Sequence, residues 1–412
     1  MNIQQSLNCY SNILSPSFLC GIAGVVTISV VSNLHVILSR KLKNVYDKRR
    51  RKKQLCMKGI GIKSYNGISS VEIRSDLPIP KIVSEDDVLI KVIAAGFDEM
   101  DLKIASGYGK SIRSHLEKNS LHAKSDSFII LGRECAGIVL DVGSNVESVA
   151  KGDEVWAVAA YCLDGLMAEY VVVKEDQVAL KPSNISFEEA ASIPYSAIQV
   201  WNALVTQANL NPSTAKGKRV LVHAGNSPIS LFAIQLLKSW RSYVTTTVPT
   251  AGLPMSHVLN VDDVIVYTVM DFEAELRKRK RFDIILNTVG TIIHQLCVDI
   301  CSEGGTVITF VSTPILSDIY GVFLGSLLAL GLQVVAWVKK MKNSAYSQFW
   351  WDNFSYDKKC LNKTSALIEE EKIHPIVERI YDMDDALSGF QQLAQYENVG
   401  KNVLRISTAK LA

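Results

Sequence analysis

Short apolar runs broken by Gly, Pro and Asp fill the stretch from residue 57 to residue 182. Val88–Val92, Ile138–Leu140 and Tyr170–Val173 have the length and the β-branched composition that are typical of strands. Turn residues such as Gly152-Asp153 stand between these runs. The pattern predicts a compact, largely antiparallel β domain over this part of the chain.

The pattern changes at Ser186, where helix-like and strand-like segments begin to alternate. Ser186 is a suitable N-cap for a helix over Phe187–Leu204, because its hydroxyl can accept a bond from a first-turn N–H group. Strands are predicted at Val220–Val222, Tyr243–Thr247, Val264–Val266, Asp283–Leu286 and Thr306–Phe310, with helices at Leu231–Trp240 and Glu273–Lys280. This alternation predicts a doubly wound parallel sheet, which is the architecture of a dinucleotide-binding Rossmann domain.

One apolar stretch near the N-terminus, Phe18–Leu38, has about the 20 residues of a helix that crosses a bilayer. Basic residues follow it, in Arg40–Lys43 and Lys48–Lys53, and none precedes it. This order argues against a cleaved secretory signal and against a matrix transit peptide. By the positive-inside rule it predicts a single-pass anchor with the rest of the chain in the cytosol. A buried or disordered tail is the alternative interpretation.

A second apolar run, Ile319–Val338, is interrupted by three glycines and Gln333, and it lies between segments that form one domain. The pattern favours a buried helix and strand over a second membrane span, and a subunit contact is one explanation for its apolar character. After about Lys358 the sequence predicts a helix, an apolar segment at Ile373–Val377, a helix near Asp384–Tyr396 and a final strand over Asn402–Ile406.

These elements divide the chain into six parts. They are an N-terminal tail at 1–17, a transmembrane anchor at 18–39, a basic linker at 40–56, the first part of a catalytic β domain at 57–185, a Rossmann domain at 186–345, and a return to the catalytic domain at 346–412. The predicted fold class is α/β, with a β-rich domain and a doubly wound parallel sheet preceded by one transmembrane helix.

Composition narrows this picture mainly by exclusion. Of 412 residues, 48% are hydrophobic and 21% are charged, which suits a large packed core. The net charge is +3 and the basic excess is concentrated near the N-terminus, so no nucleic-acid partner is indicated. The eight cysteines include no CxxC pair. On a helix Cys297 and Cys301 would share a face, but two thiols do not complete a zinc site, so buried apolar cysteines are favoured.

Several short motifs occur in an order that resembles a known family. They are Leu131–Val139, Gly152–Trp156, Ala190–Tyr195, Phe232–Gln235 and Lys372–Glu378. The order is similar to that of the medium-chain dehydrogenase/reductase family, in its zinc-free quinone oxidoreductase branch, and the likeness covers roughly residues 57 to 408. It is closest to a mitochondrial subfamily of that branch.

The resemblance implies a GroES-like catalytic domain built from both ends of the globular chain, with a Rossmann domain inserted between them. It implies hydride transfer from NADPH to a quinone-like acceptor or an enone, and a link to ubiquinone metabolism. With the predicted anchor, it implies the outer mitochondrial membrane, with the endoplasmic reticulum as the alternative. Membrane lipid, a second copy of the chain and a membrane protein are the partners considered.

The resemblance argues against zinc. Zinc-dependent members have Gly-His-Glu where this chain has Gly132-Arg133-Glu134, and their four-cysteine lobe has no counterpart here. Catalytic zinc requires imidazole or thiolate ligands that these positions do not supply. No zinc is therefore expected.

The loop after the first Rossmann strand departs from the family. By alignment through Phe232–Gln235, three family glycines become Ser227, Pro228 and Ser230, while Gly225 remains. The resemblance makes Gly225, Asn226, Ser227, Ile229 and Ser230 the candidates for the cofactor pyrophosphate. The added side chains crowd a close approach, and Pro228 has no N–H group to donate. Either a weakened site persists, or the loop is only a connection between a strand and a helix.

Other candidate cofactor residues follow from the same alignment. Thr247 stands at the end of the second Rossmann strand, where it could bond a ribose hydroxyl, although Pro249 occupies the place of a family serine. Tyr267 is a candidate after the third strand. Gly290 belongs to Asn287–Thr291, which keeps half of a family motif next to the nicotinamide. Exposed threonines without a ligand are the simpler explanation for the strand end.

On the substrate side, the family's Asn-Pro-x-Asp becomes Asp98-Glu99-Met100-Asp101. An ionised Asp98 can only accept hydrogen bonds, so it would repel a developing oxyanion unless it were protonated. Tyr108 is the other candidate catalytic residue, as a donor to a quinone oxygen, and a buried structural tyrosine is equally consistent with the sequence. Five aromatic residues could stack on a flat ring or pack in the core, namely Phe349, Trp350, Trp351, Phe354 and Tyr356.

Two functions from different classes remain open at this point. One is NAD(P)H-dependent reduction of a quinone or enone. The other is a degenerate dehydrogenase fold, with weak or no cofactor binding, that acts as an interaction or scaffold protein at a membrane.

Overall fold

The computed structural model of the chain describes residues 55–119, 128–160, 163–310, 316–325, 327–328, 331, 358–395 and 398–408. The predicted tail at 1–17, the predicted anchor at 18–39, most of the linker at 40–56 and the aromatic residues from Phe349 to Tyr356 lie outside this range. Within it, no helix is both long and apolar enough to cross a membrane. Apart from residues 115–119, the described residues belong to one compact unit.

Fifteen strands are present in the described part of the chain. They are β1 Cys56–Ile62, β2 Val71–Pro78, β3 Asp87–Phe97, β4 Ile129–Ile130, β5 Glu134–Val142, β6 Glu154–Val158, β7 Tyr170–Lys174, β8 Val178–Leu180, β9 Arg219–Val222, β10 Tyr243–Val248, β11 Asp263–Val266, β12 Phe282–Asn287, β13 Cys301–Thr309, β14 Val377–Asp382 and β15 Lys401–Arg405.

The α-helices fall mainly between the later strands. They are α1 Glu99–Ala105, α2 Lys110–Asn119, α3 Phe187–Ala190, α4 Pro194–Trp201, α5 Pro212–Ala215, α6 Pro228–Ser239, α7 Leu253–Val258, α8 Phe272–Lys278, α9 His294–Ile300, α10 Leu316–Tyr320, α11 Lys358–Glu369 and α12 Ala386–Leu393.

The predicted antiparallel β domain is confirmed. Its larger sheet has the order β14-β15-β3-β5-β6-β8, with β7 also paired to β3, and a smaller sheet has the order β2-β1-β4. All of these pairings are antiparallel except that of β14 with β15. Strand β15 pairs with β3, so the C-terminal segment returns to the sheet that the N-terminal segment begins.

The predicted parallel sheet is also confirmed. Its order is β11-β10-β9-β12-β13, and every pairing in it is parallel. Alternate residues of the strands enter different cores, as in β9, where Val220 and Val222 join the large core and Leu221 joins a smaller one. This alternation follows from the two-residue period of a strand, and it shows that both faces of the sheet are covered. The strand order reverses between β9 and β12, where such sheets bind ligands beyond their carboxyl ends.

The single helix predicted over Phe187–Leu204 is wrong. The chain instead forms α3, a break at 191–193, α4, and a π-helix over Asn202–Gln207. Pro194 explains the break, because proline disfavours a helical conformation in the residue before it and has no N–H group for an interior helical bond. The predicted cap is confirmed, since the Ser186 hydroxyl accepts the Glu189 N–H at 3.2 Å.

The predicted strand at Thr306–Phe310 is confirmed but begins earlier, at Cys301. Helix α9 ends at Ile300, so Cys297 and Cys301 do not share a helix. Both are buried, as are Cys135 and Cys360. Burial raises the pKa of Cys297 to about 12 and that of Cys301 to about 11, so both thiols stay protonated near neutral pH.

The prediction of a buried helix within Ile319–Val338 is wrong for the residues described. Ile319 is 58% exposed and Phe323 is 82% exposed, and Tyr320, Leu324, Leu327 and Leu328 are also exposed. The apolar character of this run therefore does not come from burial in the domain to which it belongs. Residues 332–338 lie outside the described range.

Candidate functional site

A lysine at the start of the last strand lies between two carboxylates. The Lys401 Nζ atom is 2.5 Å from Oδ2 of Asp98 and 2.5 Å from Oε1 of Glu134. The side chains of Lys401 and Glu134 are buried, and that of Asp98 is 15% exposed. Burial alone would lower the pKa of Lys401, but the two carboxylates raise it above its ordinary value. Lys401 is therefore a permanent positive charge inside the β domain.

Glu134 is the most deeply buried carboxyl group beside this lysine. Its Oε2 atom accepts the Tyr195 backbone N–H at 2.9 Å, which joins β5 to the first turn of α4. Burial raises the pKa of Glu134 to about 7, although Lys401 acts in the opposite direction. Glu134 therefore gains and loses its proton near neutral pH.

A second ion pair lies behind the first. Oδ1 of Asp101 is 3.9 Å from Nε of Arg133 and accepts the Gly132 N–H at 2.7 Å. Nη1 of Arg133 donates to the Ala160 carbonyl oxygen at 2.6 Å. Burial, followed by the charge of Asp98, raises the pKa of Asp101 to about 6. We refer to Asp98, Asp101, Arg133, Glu134 and Lys401 together as the buried charged cluster.

The predicted catalytic residue Asp98 has both carboxylate oxygens occupied. Oδ1 accepts the Met100 N–H at 2.8 Å and so caps α1, while Oδ2 pairs with Lys401. Burial opposes ionisation, but Lys401 lowers the pKa of Asp98 below its ordinary value. The sequence predicted that an ionised Asp98 would repel a developing oxyanion. That prediction is corrected, because Lys401 supplies the opposing charge.

Tyr108, the other predicted catalytic residue, follows α1 and is half-buried against the core. Its N–H group donates to the Lys103 carbonyl oxygen at 2.9 Å. Burial raises the pKa of Tyr195 well above its ordinary value, and Asp98 and Tyr108 act in the same direction. Tyr108 is therefore a neighbour of the buried charged cluster. Its role as a donor stays a prediction.

In the loop at 223–230, which we call the phosphate loop, the serine hydroxyls form hydrogen bonds within the loop itself. The Ser227 hydroxyl accepts the Ser230 N–H at 3.3 Å and caps α6. It also donates to Oγ of Ser230 at 3.0 Å, and Ser230 in turn donates to the His223 carbonyl oxygen at 2.8 Å. Both serine side chains therefore point into the loop.

Most backbone N–H groups of the phosphate loop are also engaged. Ala224 and Gly225 donate to Oγ1 and the carbonyl oxygen of Thr247, and Ser227 donates to the Ala224 carbonyl oxygen. Pro228 has no N–H group. Within the described part of the chain, the backbone N–H groups of Asn226 and Ile229 have no partner. These two groups could bond a pyrophosphate, so the loop fits that group with fewer donors than the family loop offers.

Gly225, the glycine that the family motif retains, is required by packing. A Cβ atom built at this position would lie 2.2 Å from Oγ1 of Thr246 on the neighbouring strand. No side chain fits at that distance, so Gly225 lets the loop cross close to β10. Its presence is explained without a ligand.

Asn226 ties the phosphate loop to the β domain. Its side-chain amide donates to the Asn398 carbonyl oxygen at 2.9 Å, and the Gly400 N–H donates to the Asn226 carbonyl oxygen at 3.0 Å. The turn at 398–400 leads directly into Lys401. The loop and the buried charged cluster are therefore connected through a single short segment.

At the strand ends that would hold the adenosine part of a dinucleotide, some polar groups are bonded within the protein and others are exposed. The Thr247 hydroxyl, a predicted ribose ligand, is bonded within the loop to the Ala224 N–H and to Nδ1 of His223 at 3.1 Å. The hydroxyls of Thr250 and Thr268 are exposed and lie 2.6 Å apart. Tyr267, also a predicted ligand, is 44% exposed beside them. Exposed polar groups thus remain here, although not at Thr247.

Gly290, the predicted nicotinamide-side residue, is buried and has a φ of +120°, a conformation that favours glycine. Its N–H donates to Oδ1 of Asn287, and its carbonyl oxygen accepts the Asn287 side-chain amide. The motif therefore forms a closed turn at the carboxyl end of β12. The neighbouring Val289 is 48% exposed and is the apolar surface that this turn presents.

Two buried residues in this region were not predicted from the sequence. Lys401 is the first residue of β15, and its place in a buried strand is the signal that this lysine needs a partner. His223 follows β9 and is 1% exposed, with Nε2 3.6 Å from Sγ of Cys297. Burial lowers the pKa of His223 to about 4, so it is neutral near pH 7. Within the described residues, no group of three acidic, histidine or cysteine side chains could hold a metal ion.

Family models match two parts of the chain. The model described as alcohol dehydrogenase GroES-like domain matches residues 84–183, and that described as zinc-binding dehydrogenase matches residues 259–404. The first of these ranges lies in the β domain, and the second begins in the Rossmann sheet and ends in β15.

Known proteins match most of the chain. The mitochondrial NAD(P)H oxidoreductase RTN4IP1 of Danio rerio is 30% identical over 355 residues, which is 84% of this chain and 90% of that protein. The mitochondrial reticulon-4-interacting protein 1 of Caenorhabditis elegans is 31% identical over 350 residues, 83% of this chain and 93% of that protein. The solved quinone oxidoreductase of Coxiella burnetii superposes with a TM-score of 0.68 at 24% identity, covering 85% of this chain and all of that one.

Proposed function

Because the chain belongs to the medium-chain dehydrogenase/reductase family, alongside the NAD(P)H oxidoreductases that it matches over most of its length, we propose that it is an NAD(P)H-dependent oxidoreductase of the quinone-reductase type. Its acceptor is a quinone or an enone, and the reaction needs no zinc. Its cofactor affinity is limited by the phosphate loop.

The buried charged cluster carries this proposal. Three acids and two bases, all largely or fully buried, are costly to desolvate, and an apolar core of the same volume would be at least as stable. Ionisable groups with shifted pKa values at the edge of a ligand-binding fold are typical of functional sites. The cluster is adjacent to Tyr108 and is joined to the phosphate loop through residues 398–400. This placement favours a reaction at the boundary of the two domains.

Each part of the site has a distinct role in this proposal. When it is bound, NADPH supplies a hydride. The backbone N–H groups of Asn226 and Ile229 would hold its pyrophosphate, Thr250 and Thr268 would bond a ribose hydroxyl, and Val289 would pack against the nicotinamide. Tyr108 donates a hydrogen bond to the acceptor oxygen. Lys401 keeps the region around Asp98 from being negative, so that charge developing on that oxygen is not repelled.

One observation favours a second function, namely a dehydrogenase fold that serves as a scaffold without binding cofactor. Ser227, Ser230 and Thr247 direct their hydroxyls into the protein, and most amides of the phosphate loop are already bonded. A loop whose polar groups are mostly bonded within the protein has few donors left for a ligand. In this alternative, the partner is a membrane protein or a second copy of the chain.

Thermal unfolding in the presence of NADPH or NADH separates the two functions. A ligand that binds only the native state must raise its stability, by about 2.7 kcal/mol at a hundredfold excess over the dissociation constant. We expect a rise in Tm with NADPH and oxidation of NADPH when 1,4-naphthoquinone is added as a probe acceptor. No change in Tm at millimolar NADPH and NADH would exclude the enzymatic function and favour the scaffold.

We also propose a mitochondrial location, as for the relatives above, with the sequence-predicted anchor at 18–39 in the outer membrane and the two domains in the cytosol. The protein should then stay with membranes during alkaline extraction. Protease added to intact mitochondria should remove the globular part. Protection from protease, or a glycosidase-sensitive shift in mobility, would place these domains in another compartment.

A further inference from the structure

A small pocket lies where the β domain meets the first Rossmann helix. It is lined on one side by Ser196 and Lys401 and on the other by Leu231, Phe232 and Gln235. Its volume is about 10 Å³, which is about the space that one water molecule requires. The pocket is too small for a nicotinamide or a quinone, so its occupant must be of a different kind.

The polar groups that line the pocket leave two bonding positions open. The Gln235 side chain is engaged, because its amide donates to the His374 carbonyl oxygen and its oxygen accepts the His374 N–H. The Ser196 hydroxyl is 1% exposed and has no hydrogen-bond partner within the described part of the chain. A buried hydroxyl without a partner is unfavourable by about 1–3 kcal/mol, so a partner is expected.

Lys401 supplies the second bonding position. An ammonium group has three N–H donors, of which Asp98 accepts one, while Glu134 lies within ion-pair distance of the same nitrogen atom. The remaining donor belongs to a group that lines the pocket. A water molecule there would accept this bond from Lys401 and bond to Ser196 as well, satisfying both groups.

We propose that the pocket holds one ordered water molecule, and that Lys401 and this water carry a proton from the buried Glu134 carboxyl group to the boundary between the domains. This inference rests on the proposed function for its purpose, because an acceptor that is reduced there needs a proton. Lys401 is the residue that positions Glu134 and the water. The pocket connects them to the first turns of α6.

The proposed proton transfer conserves atoms and charge. A quinone that gains a hydride and one proton becomes a hydroquinone. An N–H proton of Lys401 passes to the water as the O–H proton of Glu134 moves to Nζ, so that the ammonium group keeps its positive charge throughout. Glu134 is left as a carboxylate and is reprotonated from solvent. No oxidant or reductant is required beyond the hydride donor and the acceptor.

The electrostatic setting of Glu134 includes groups from every element that packs against it. Lys401 of β15 and Arg133 before β5 are positive, and Asp98 and Asp101 at the start of α1 are negative. Tyr195 of α4 is uncharged near neutral pH, because burial raises its pKa well above the ordinary value. Burial raises the pKa of Glu134 to about 7 in this setting, so the carboxyl group has a proton to give at neutral pH and can recover it afterwards.

Infrared spectroscopy of the full chain tests the inference without cofactor. The wild-type protein should show a carboxylic-acid C=O band that disappears as pH rises through about 7, and Glu134→Gln should lack this component while it keeps that of Asp101, which disappears near pH 6. In Lys401→Met the band should persist to higher pH, because the carboxylate loses its counter-charge. Absence of the band from the wild type would overturn the proposal that Glu134 holds a proton near neutral pH.

Exchange of this proton with D₂O tests the water path. Ser196→Val fills the pocket with methyl groups and should slow exchange of the Glu134 proton at least tenfold, whereas Ser196→Ala keeps room for the water and should exchange within twofold of the wild type. Equal exchange rates in Ser196→Val and Ser196→Ala would overturn the path. Thermal unfolding of both variants confirms that they are folded.

Turnover distinguishes failure of the inference from failure of the proposed function. With NADPH and 1,4-naphthoquinone, the pH profile of kcat should lose its ionisation near pH 7 in Glu134→Gln and also in Lys401→Arg, because a guanidinium group keeps the positive charge but does not pass on a proton. If the wild type binds and oxidises no NADPH, the proposed function fails while the infrared result stands. An unchanged pH profile of kcat in an active Glu134→Gln variant would overturn the proposal that Glu134 supplies a proton to the reaction.

Discussion

The buried charged cluster and the phosphate loop lie at opposite ends of the turn at 398–400, and both differ in sequence from the family pattern. In the cluster, Asp98 replaces a neutral asparagine, and Lys401 balances its charge. In the loop, Ser227, Pro228 and Ser230 replace glycines, and their polar groups are satisfied by bonds within the loop.

The same physical requirement has opposite consequences in these two regions. Buried polar groups are stabilised by pairing, and most of the polar groups in both regions are paired. In the cluster, pairing preserves ionised groups beside the predicted substrate site. In the loop, pairing uses the donors that a pyrophosphate would need. A satisfied hydrogen-bond network therefore maintains function in one region and reduces ligand binding in the other.

The largest expected effect comes from removing the charge at the centre of the cluster. Lys401→Met should lower the free energy of unfolding by about 3–5 kcal/mol, because it leaves Asp98 and Glu134 without their counter-charge in a buried site. Urea denaturation measures the change. The double variant Lys401→Met/Glu134→Gln should recover part of the loss. A loss below about 1 kcal/mol for Lys401→Met would show that water reaches these carboxylates and that the cluster is not buried.

The next largest effect concerns the pH dependence of stability. The pKa of Glu134 rises from its ordinary value of 4.5 to about 7 on folding, so between these values the folded chain holds more protons than the unfolded chain. The free energy of unfolding should therefore fall as pH rises through this window and level off above it, by on the order of 3 kcal/mol. Glu134→Gln should lack this contribution.

Two other groups contribute in the same pH range, so the comparison with Glu134→Gln is essential. Asp101, with a pKa raised to about 6, acts in the same direction as Glu134. His223, with a pKa lowered to about 4, acts in the opposite direction, because the unfolded chain binds its proton more tightly. Equal pH slopes for the wild type and Glu134→Gln would show that Glu134 is ionised throughout this range.

Much of the fold could be predicted because it depends on periodic patterns. The alternating strands and helices between residues 219 and 309 follow directly from apolar spacing, and the cap at Ser186 follows from local chemistry. The break before Pro194 was missed, since the helical spacing of Phe187–Leu204 outweighed the local effect of one proline. The exposure of Ile319 and Phe323 was missed because hydrophobicity indicates a contact but not its partner.

The candidate site was less predictable, because its residues are distant in the sequence. The pairing of Asp98 with Lys401 joins residues 303 positions apart, and no local pattern indicates it. The loss of the loop glycines was visible in the sequence. However, the inward bonds of Ser227 and Ser230, and the link from Asn226 to Asn398, depend on tertiary contacts.

The smallest expected effect is a change in the free energy of NADPH binding. It tests most directly the central claim that the phosphate loop alone limits cofactor binding. Calorimetric titration with NADPH should compare the wild type with Ser227→Gly/Pro228→Gly/Ser230→Gly. The triple variant frees the backbone N–H group at position 230, adds one at position 228 and removes three side chains. It should bind NADPH roughly tenfold more tightly, equivalent to about 1.4 kcal/mol. It should also unfold more easily, because it loses a helix cap and gains chain entropy.

Ser239→Gly, at the other end of the same helix, is the matched control and should leave NADPH affinity unchanged. Both variants are compared only as folded protein, shown by circular dichroism. The account predicts measurable binding by the wild type and a tighter constant for the triple variant alone. Equal affinity of the wild type and the folded triple variant would contradict it.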